Sequence, residues 1–88
     1  MHVNKREMKI AVLLFGPARI LAKKDHLVLE LKEGATVFHA MSLLKQKFPE
    51  FSNLDRYLRF AIDAEYVERN ASLSEGQTLA LIPPVQGG

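Results

Sequence analysis

One amphipathic segment, residues 36–49, limits more than any other feature what this chain can fold into. Its apolar side chains recur at helical spacing and form a single stripe. The stripe consists of Val37, Phe38, Ala40, Met41, Leu44 and Phe48. Thr36 is a favourable N-cap residue, and Pro49 ends the helix because proline lacks the N–H that a helix needs. A helix with one apolar side needs a second layer to cover it, which the rest of the sequence has to supply.

The other apolar segments are short and have strand character. They are residues 8–15, 27–32, 59–63, 65–68 and 78–82. The first, MKIAVLLF, is apolar along most of its length, which predicts a strand buried on both faces. Gly16-Pro17 ends it, and the segment that follows is expected to be one or two helical turns or a loop. The order predicts an α+β fold in which one sheet is covered by one main helix.

Length and composition place this pattern in one domain. The chain has 88 residues, of which 48% are hydrophobic and 25% charged, as in an ordinary globular domain. The sequence contains no cysteine, which excludes disulfides, thiolate metal sites and a cysteine nucleophile. We expect residues 1–7 to be an N-terminal extension, residues 8–84 to form the domain, and residues 85–88 to be a flexible, reactive tail.

Charge and hydropathy argue against two classes of partner. The net charge is +2, and the 12 basic side chains are scattered among 10 acidic ones, without the basic stripe that nucleic-acid binding favours. No apolar run approaches the roughly 20 residues of a membrane-spanning helix. We therefore expect no nucleic-acid partner, no membrane partner and a cytoplasmic location. The three histidines show no spacing typical of metal ligands, so we expect no metal site.

The last six residues, PPVQGG, are the candidate functional segment. Pro83 and Pro84 end the last strand, and their fixed φ angles lift the chain away from the sheet. Gly87 and Gly88 carry no side chain, so a terminal carboxylate there can enter a narrow channel. Four residues beyond Pro84 reach about 13–14 Å. Such a carboxylate can react with ATP to form an acyl adenylate, which an amine, a thiol or a sulfide can then attack.

With this tail, the chain resembles the ubiquitin-like sulfur carriers, and most closely those that form the small subunit of molybdopterin synthase. The matching segments are KIAVLLFGPAR, GATVFHAMSLLKQKFP, FAID and LSEGQTLALIPPV, followed by the final GG. The resemblance implies a β-grasp (ubiquitin-like) fold. Two positions depart from it, because family members often have Arg-Glu where this chain has Arg19-Ile20, and Asn where it has Asp63.

The resemblance also implies a function and three kinds of partner. An E1-like adenylyltransferase uses ATP to adenylate the Gly88 carboxylate, and a sulfur donor system converts it to a thiocarboxylate. The tail then enters the large subunit of molybdopterin synthase and gives its sulfur to cyclic pyranopterin monophosphate during molybdenum cofactor biosynthesis. On this basis the chain binds no cofactor and is not catalytic alone; it is the sulfur-donating subunit of a sulfurtransferase, expected to form a heterotetramer.

The candidate site residues fall into two groups. The reactive residues are Gly87 and Gly88. The candidate partner contacts are Pro83, Pro84, Val85, Gln86, Phe15, Arg19 and Phe60, of which Phe15 and Arg19 match the family's loop beside the base of the tail.

Three other interpretations of the tail remain open at this point. Gly88 could be joined to lysine amines of other proteins, as in a ubiquitin-like modifier. The chain could also carry sulfur for the thiazole of thiamine. A binding module with an inert tail is the third, and it predicts that removal of Gly87 and Gly88 changes nothing.

Overall fold

The chain folds as a five-stranded mixed sheet with one long helix across one face. The computed structural model describes residues 6–84. The elements are β1 (Glu7–Leu14), α1 (Gly16–Ala22), β2 (His26–Lys32), α2 (Val37–Lys47), β3 (Arg59–Ile62), β4 (Glu65–Val67) and β5 (Thr78–Ile82). Two short 3-10 turns, Pro49–Asn53 and Asp55–Tyr57, join α2 to β3. The predicted α+β fold with one main helix is confirmed, and the segment after Gly16-Pro17 is a two-turn helix.

The first and last strands lie side by side in the middle of the sheet. The strand order is β2-β1-β5-β3-β4. β1 pairs parallel with β5, from Ala11 opposite Thr78 to Leu14 opposite Leu81, and all the other pairs are antiparallel. Because β1 and β5 run in the same direction, the end of β5 lies beside the turn between β1 and α1.

The hydrophobic core lies between the sheet and α2. β1 contributes Met8, Ile10, Val12 and Leu14, and α2 contributes Val37, Ala40, Met41 and Leu44. Leu29, Leu79, Leu81 and Phe51, in β2, β5 and the first 3-10 turn, are also completely buried. At about 25 cal/mol per Å² of apolar surface removed from water, this burial is the main stabilising contribution in a domain of this size.

Two of the predicted burials are wrong, and both errors have the same origin. β1 alternates strictly, with Lys9 and Leu13 on the outer face, so it is not buried on both faces. Phe38 is 58% exposed, because it lies about 100° around the helix from Val37, which faces the sheet. Only one face of the sheet has a covering layer in residues 6–84, so neither the outer face of β1 nor the outer side of α2 is enclosed.

The domain begins slightly earlier than the predicted boundary at residue 8. Glu7 opens β1, and its Oε2 lies 2.5 Å from Nζ of Lys32 on the neighbouring strand. The carbonyl of Arg6 accepts a hydrogen bond of 2.7 Å from the backbone N–H of Glu33. Of the predicted N-terminal extension, residues 1–5 lie outside the described residues.

Two polar side chains hold the ends of elements in place. The backbone N–H of Thr36 donates to Nδ1 of His39 at 2.9 Å, so His39 occupies the position that Glu or Gln fills in a capping box. Asp63 lies in the turn between β3 and β4, at φ 48°, and not in the predicted strand. Its Oδ1 accepts from the N–H of Thr78 at 3.0 Å, which ties this turn to β5.

Among the helices in residues 6–84, none has the length and apolar character to cross a membrane.

Asp55, in the second 3-10 turn, makes polar contacts with α2 and with the segment that follows β4. Arg69 donates from Nη1 to Oδ1 of Asp55 at 2.6 Å and from Nη2 to the Asp55 carbonyl at 2.6 Å. Lys45 of α2 forms an ion pair with the other carboxylate oxygen. Burial raises the pKa of the Asp55 carboxyl, but the hydrogen bonds from Lys45 and Arg69 outweigh it, and the pKa lies below its usual value.

The contacts of Asp55 predict that the free energy of unfolding falls at low pH. Because the pKa of Asp55 is lower in the folded state, its contribution is complete above the unfolded pKa of about 3.9 and is lost as the pH falls through the folded pKa. We expect Asp55→Asn to lower the free energy of unfolding by about 1–2 kcal/mol at pH 7. The difference from the unmodified chain should shrink below about pH 4, as measured by urea unfolding.

Asp25→Asn provides the matched control. Asp25 also has a side-chain partner, Nδ1 of His26 at 2.9 Å from its Oδ1, but both side chains are largely exposed. We expect this variant to have nearly the unfolding midpoint of the unmodified chain at pH 7. A loss at Asp55→Asn that stayed constant from pH 7 to pH 2.5 would contradict the assignment to its ionised form.

Candidate functional site

The chain leaves the sheet at Pro83 and Pro84, directly after β5. Pro83 is half-buried against the body of the domain, and Pro84 is exposed. Neither proline can donate to a neighbouring strand, so pairing ends at Ile82. The other candidate tail residues, Val85, Gln86, Gly87 and Gly88, lie outside the described residues.

The uncovered face of the sheet carries an apolar surface next to this exit. Leu13 of β1 lies opposite Ala80 of β5, Ala80 opposite Ala61 of β3, and Ala61 opposite Tyr66 of β4. One apolar row therefore crosses four strands. We call this surface the apolar face and define it as Leu13, Phe15, Val28, Ala61, Tyr66, Ala80 and Ile82.

The apolar face exposes several large apolar side chains. Tyr66 is 69% exposed and Phe15 46% exposed, and Val28 and Leu13 are exposed as well. Exposed apolar side chains that are scattered singly need no explanation, whereas a contiguous patch with polar surroundings is typical of a protein–protein contact. The face therefore has the composition of a docking surface.

Basic side chains border the apolar face where the tail leaves. Arg59 lies opposite Ile82, the last residue of β5. Arg19, Lys23 and Lys24 line a shallow groove beside α1, together with one acidic residue, Asp25. Within residues 6–84, none of these four basic side chains forms an ion pair. The exit of the tail is thus a positively charged end of an apolar surface.

The predicted partner contacts in the body of the domain do not all lie on the same side of the sheet. Continuing the β1–β5 register by one residue puts Phe15 level with Ile82 on the open face. Arg19 is exposed on α1 beside it. Phe60 is only 4% exposed and points to the helix side of β3, with the guanidinium of Arg69 at 4.8 Å from its ring centroid. Phe60 is therefore a core residue, and the assignment of this position to the partner-facing surface was wrong.

Sequence reasoning missed the contribution of Leu13, Tyr66 and Val28 to this surface. The sequence places Leu13 on the same strand face as Phe15, because the two residues are two positions apart. An apolar run such as MKIAVLLF does not show which of its faces will be covered, so the alternation carried no signal for exposure.

No group of three or more His, Cys, Asp or Glu side chains that could hold a metal ion occurs in the described part of the chain.

The fold and the exit of the chain define a class of protein: a small β-grasp domain whose last strand ends at Pro83-Pro84, beside an exposed apolar face. The sequence pattern of the ThiS family matches residues 12–88. The chain therefore belongs to the ThiS family.

Two relatives narrow the comparison within the family. A molybdopterin synthase sulfur carrier subunit of Arabidopsis thaliana is 33% identical over 81 residues, which cover 92% of this chain and 84% of the relative. The protein of the same name in Chlamydomonas reinhardtii is 35% identical over 86 residues, which cover 92% of this chain and all of the relative. The resemblance to this group, predicted from the sequence, is confirmed.

Solved structures of similar proteins confirm the β-grasp fold. A putative molybdopterin converting factor, subunit 1, from Pyrococcus furiosus has a TM-score of 0.81 at 28% identity, covering 89% of this chain and 99% of that protein. Small archaeal modifier protein 1 of Haloferax volcanii has a TM-score of 0.79 at 20% identity, covering 89% and 99%. A chain in the complex of subunits 1 and 2 of the molybdopterin-converting factor from Helicobacter pylori has a TM-score of 0.64 at 22% identity, covering 92% and 100%. The last two show similarity of fold alone.

The different placement of two phenylalanines gives a direct test of this site. Phe60→Ala removes a buried ring, so we expect a loss of about 3–5 kcal/mol in the free energy of unfolding. Phe15→Ala removes a half-exposed ring at the rim, and we expect a loss of at most about 1 kcal/mol. Denaturant unfolding of the two variants measures both. Equal losses would mean that Phe15 belongs to the core and not to the apolar face.

Proposed function

We infer that this chain is the sulfur carrier subunit of a molybdopterin synthase, acting in molybdenum cofactor biosynthesis. The observation that carries this function is its identity of 33% and 35%, over most of the chain, to two proteins of that name. The sequence-based prediction of this function is confirmed at that level.

We propose that the Gly88 carboxylate is the sulfur-carrying group. One carboxylate oxygen attacks the α-phosphorus of ATP and releases pyrophosphate, which leaves an acyl adenylate on Gly88. Hydrosulfide from a sulfur donor system then attacks the acyl carbon, AMP leaves, and Gly88 ends in a thiocarboxylate. The activating adenylyltransferase supplies the ATP site, and this chain binds no cofactor of its own. Because the activation consumes ATP, we place the reaction in the cytoplasm.

The second half of the cycle takes place in the synthase. The thiocarboxylate sulfur forms a bond to a side-chain carbon of cyclic pyranopterin monophosphate and displaces an oxygen substituent from that carbon. Water then cleaves the bond between the sulfur and the Gly88 acyl carbon. The sulfur stays on the pterin, and the carboxylate returns. Two such rounds supply the two sulfurs of the dithiolene. Because the acyl adenylate of the first half is open to hydrolysis, a partner channel that excludes bulk water protects it.

The apolar face is the proposed docking surface for the large subunit. It lies on the same side of the sheet as Phe15 and reaches Ile82, the last residue before the exit of the tail. Docking there would hold the domain at the mouth of the partner's active site while the tail enters it. The basic border at Arg19 and Arg59 favours a partner whose apolar contact is flanked by carboxylates. The Helicobacter pylori complex of subunits 1 and 2 supports a partner of this type.

The chemistry at Gly88 can be tested on the end of the chain itself. Incubation with ATP, sulfide and the activating enzyme of the same organism should add the mass difference between sulfur and oxygen, located at Gly88. Deletion of Gly88, or addition of one residue after it, should abolish this shift and cofactor synthesis. We expect both variants to fold with an unchanged midpoint, because terminal residues have few contacts to lose.

Two results would contradict this proposal. Support of molybdoenzyme activity by the chain without Gly88, in cells that lack the original, would exclude the carrier mechanism. Appearance of Gly88 in an isopeptide bond to lysine, with no thiocarboxylate, would assign the chain to protein modification instead.

Docking through the apolar face predicts a difference between two exposed phenylalanines. Phe15 lies on the apolar face, and Phe38 lies on the outer side of α2, on the opposite side of the sheet. We expect Phe15→Ala to weaken binding of the unmodified chain to the large subunit by about 1–3 kcal/mol, as for an aromatic side chain that an interface buries. Phe38→Ala should bind normally in the same calorimetric titration. Equal effects of the two variants, or full affinity of an isolated tail peptide, would argue against this docking surface.

A further inference from the structure

We propose that Gly16 is a positioning residue for the reactive tail: its missing side chain lets Pro83 pack on the turn after β1, and this contact sets the direction in which the chain leaves the sheet. The inference rests on the proposed sulfur-carrier function, since it assigns a role in that reaction to a residue far along the chain from Gly88.

The parallel pairing of β1 and β5 brings the two residues together. The last paired positions are Leu14 and Leu81, and two residues further along each strand lie Gly16 and Pro83. A Cβ placed on Gly16 would lie 3.2 Å from Cγ of Pro83 and 3.6 Å from its Cβ. Carbon atoms in favourable contact lie about 3.5–4.0 Å apart. Any side chain at residue 16 would therefore push Pro83 outward by a few tenths of an ångström.

Prolines restrict the backbone on both sides of this contact. Gly16 has a φ of +53°, in the left-handed region that favours glycine. The next residue is Pro17, whose ring fixes its own φ angle. Pro83 has its own fixed φ, and the ring of Pro84 confines Pro83 to extended conformations. A small displacement of the Pro83 backbone is therefore passed on to Pro84, where the chain leaves the domain.

The contact matters for a reaction that depends on where a carboxylate is placed. The acyl carbon lies five residues beyond Pro83, and it has to meet first an ATP phosphate and then a pterin carbon in partner active sites. Fixing the start of the tail restricts the directions that its end can sample, which lowers the entropy lost on entering either channel. Gly16 itself touches no reacting atom, so its effect is exerted entirely through Pro83.

Gly76 offers a matched control for a substitution at Gly16. Its φ is +82°, so alanine there has a comparable backbone cost, but nothing lies within 4 Å of the position where its Cβ would be. We expect Gly16→Ala and Gly76→Ala to lower the denaturant midpoint by similar amounts. A few tenths of an ångström at Pro83 should lower kcat/KM for sulfur transfer by the reconstituted synthase roughly 3- to 10-fold in Gly16→Ala alone.

Two further variants separate the contact from the turn. Gly16→Asn keeps a Cβ at the contact but tolerates a positive φ better than alanine. It should recover much of the stability and little of the transfer rate. In a double-mutant cycle, Pro83→Ala removes the atom 3.2 Å away, so Gly16→Ala should cost less in that background than in the original chain.

A readout without sulfur chemistry distinguishes this inference from the proposed function. In the 15N-labelled chain, Gly16→Ala should shift the backbone amide signal of Val85, and Gly76→Ala should leave it in place. An unshifted Val85 signal in Gly16→Ala, or equal transfer rates for the two variants, overturns the positioning role. Failure of the unmodified chain to accept sulfur would overturn the proposed function instead, while the Val85 signal would still decide the role of Gly16.

Discussion

The parallel pairing of β1 with β5 is the contact on which the rest of the arrangement depends. It joins the two ends of the described chain in the interior of the sheet, with β2 on one side of the pair and the β3–β4 hairpin on the other. Parallel neighbours need a long crossover, and residues 15–77 provide it. The same pairing places the exit at Pro83 beside Gly16. The place where the chain leaves the sheet, at Pro83, is therefore fixed by a central pair of strands and not by a peripheral loop.

A single covering helix determines where this domain can bind. α2 buries one face of the sheet, and residues 6–84 contain no second helix of comparable length for the other. The uncovered face keeps apolar residues such as Leu13 and Tyr66, although polar residues there would be more soluble. A surface of this kind is a liability in an isolated chain unless a partner covers it. The charged residues at its border, such as Arg59, limit which surfaces can do so.

Most of the elements, but not their exposure, could be predicted from the sequence. The α2 stripe and its ends at Thr36 and Pro49 were readable, because helical spacing and capping are local signals. The burial of Phe60 and the exposure of Phe38 were not, since both depend on which side of the sheet the helix lies. The candidate tail was identified from the local sequence PPVQGG, whereas the role of Gly16 required the β1–β5 register, which joins residues 67 positions apart.

Stability and function draw on different residues in this fold. The core residues on the helix side, such as Ile10 and Leu79, are completely buried and have no access to a partner. The residues of the apolar face and of the exit are mostly exposed or half-buried, so their substitution costs little in folding free energy. Gly16 is the exception that links the two sets, because its backbone conformation stabilises the turn while its missing side chain seats Pro83. In such a fold, exposed residues of one sheet face can change without altering the β1–β5 pairing that places Pro83 beside Gly16.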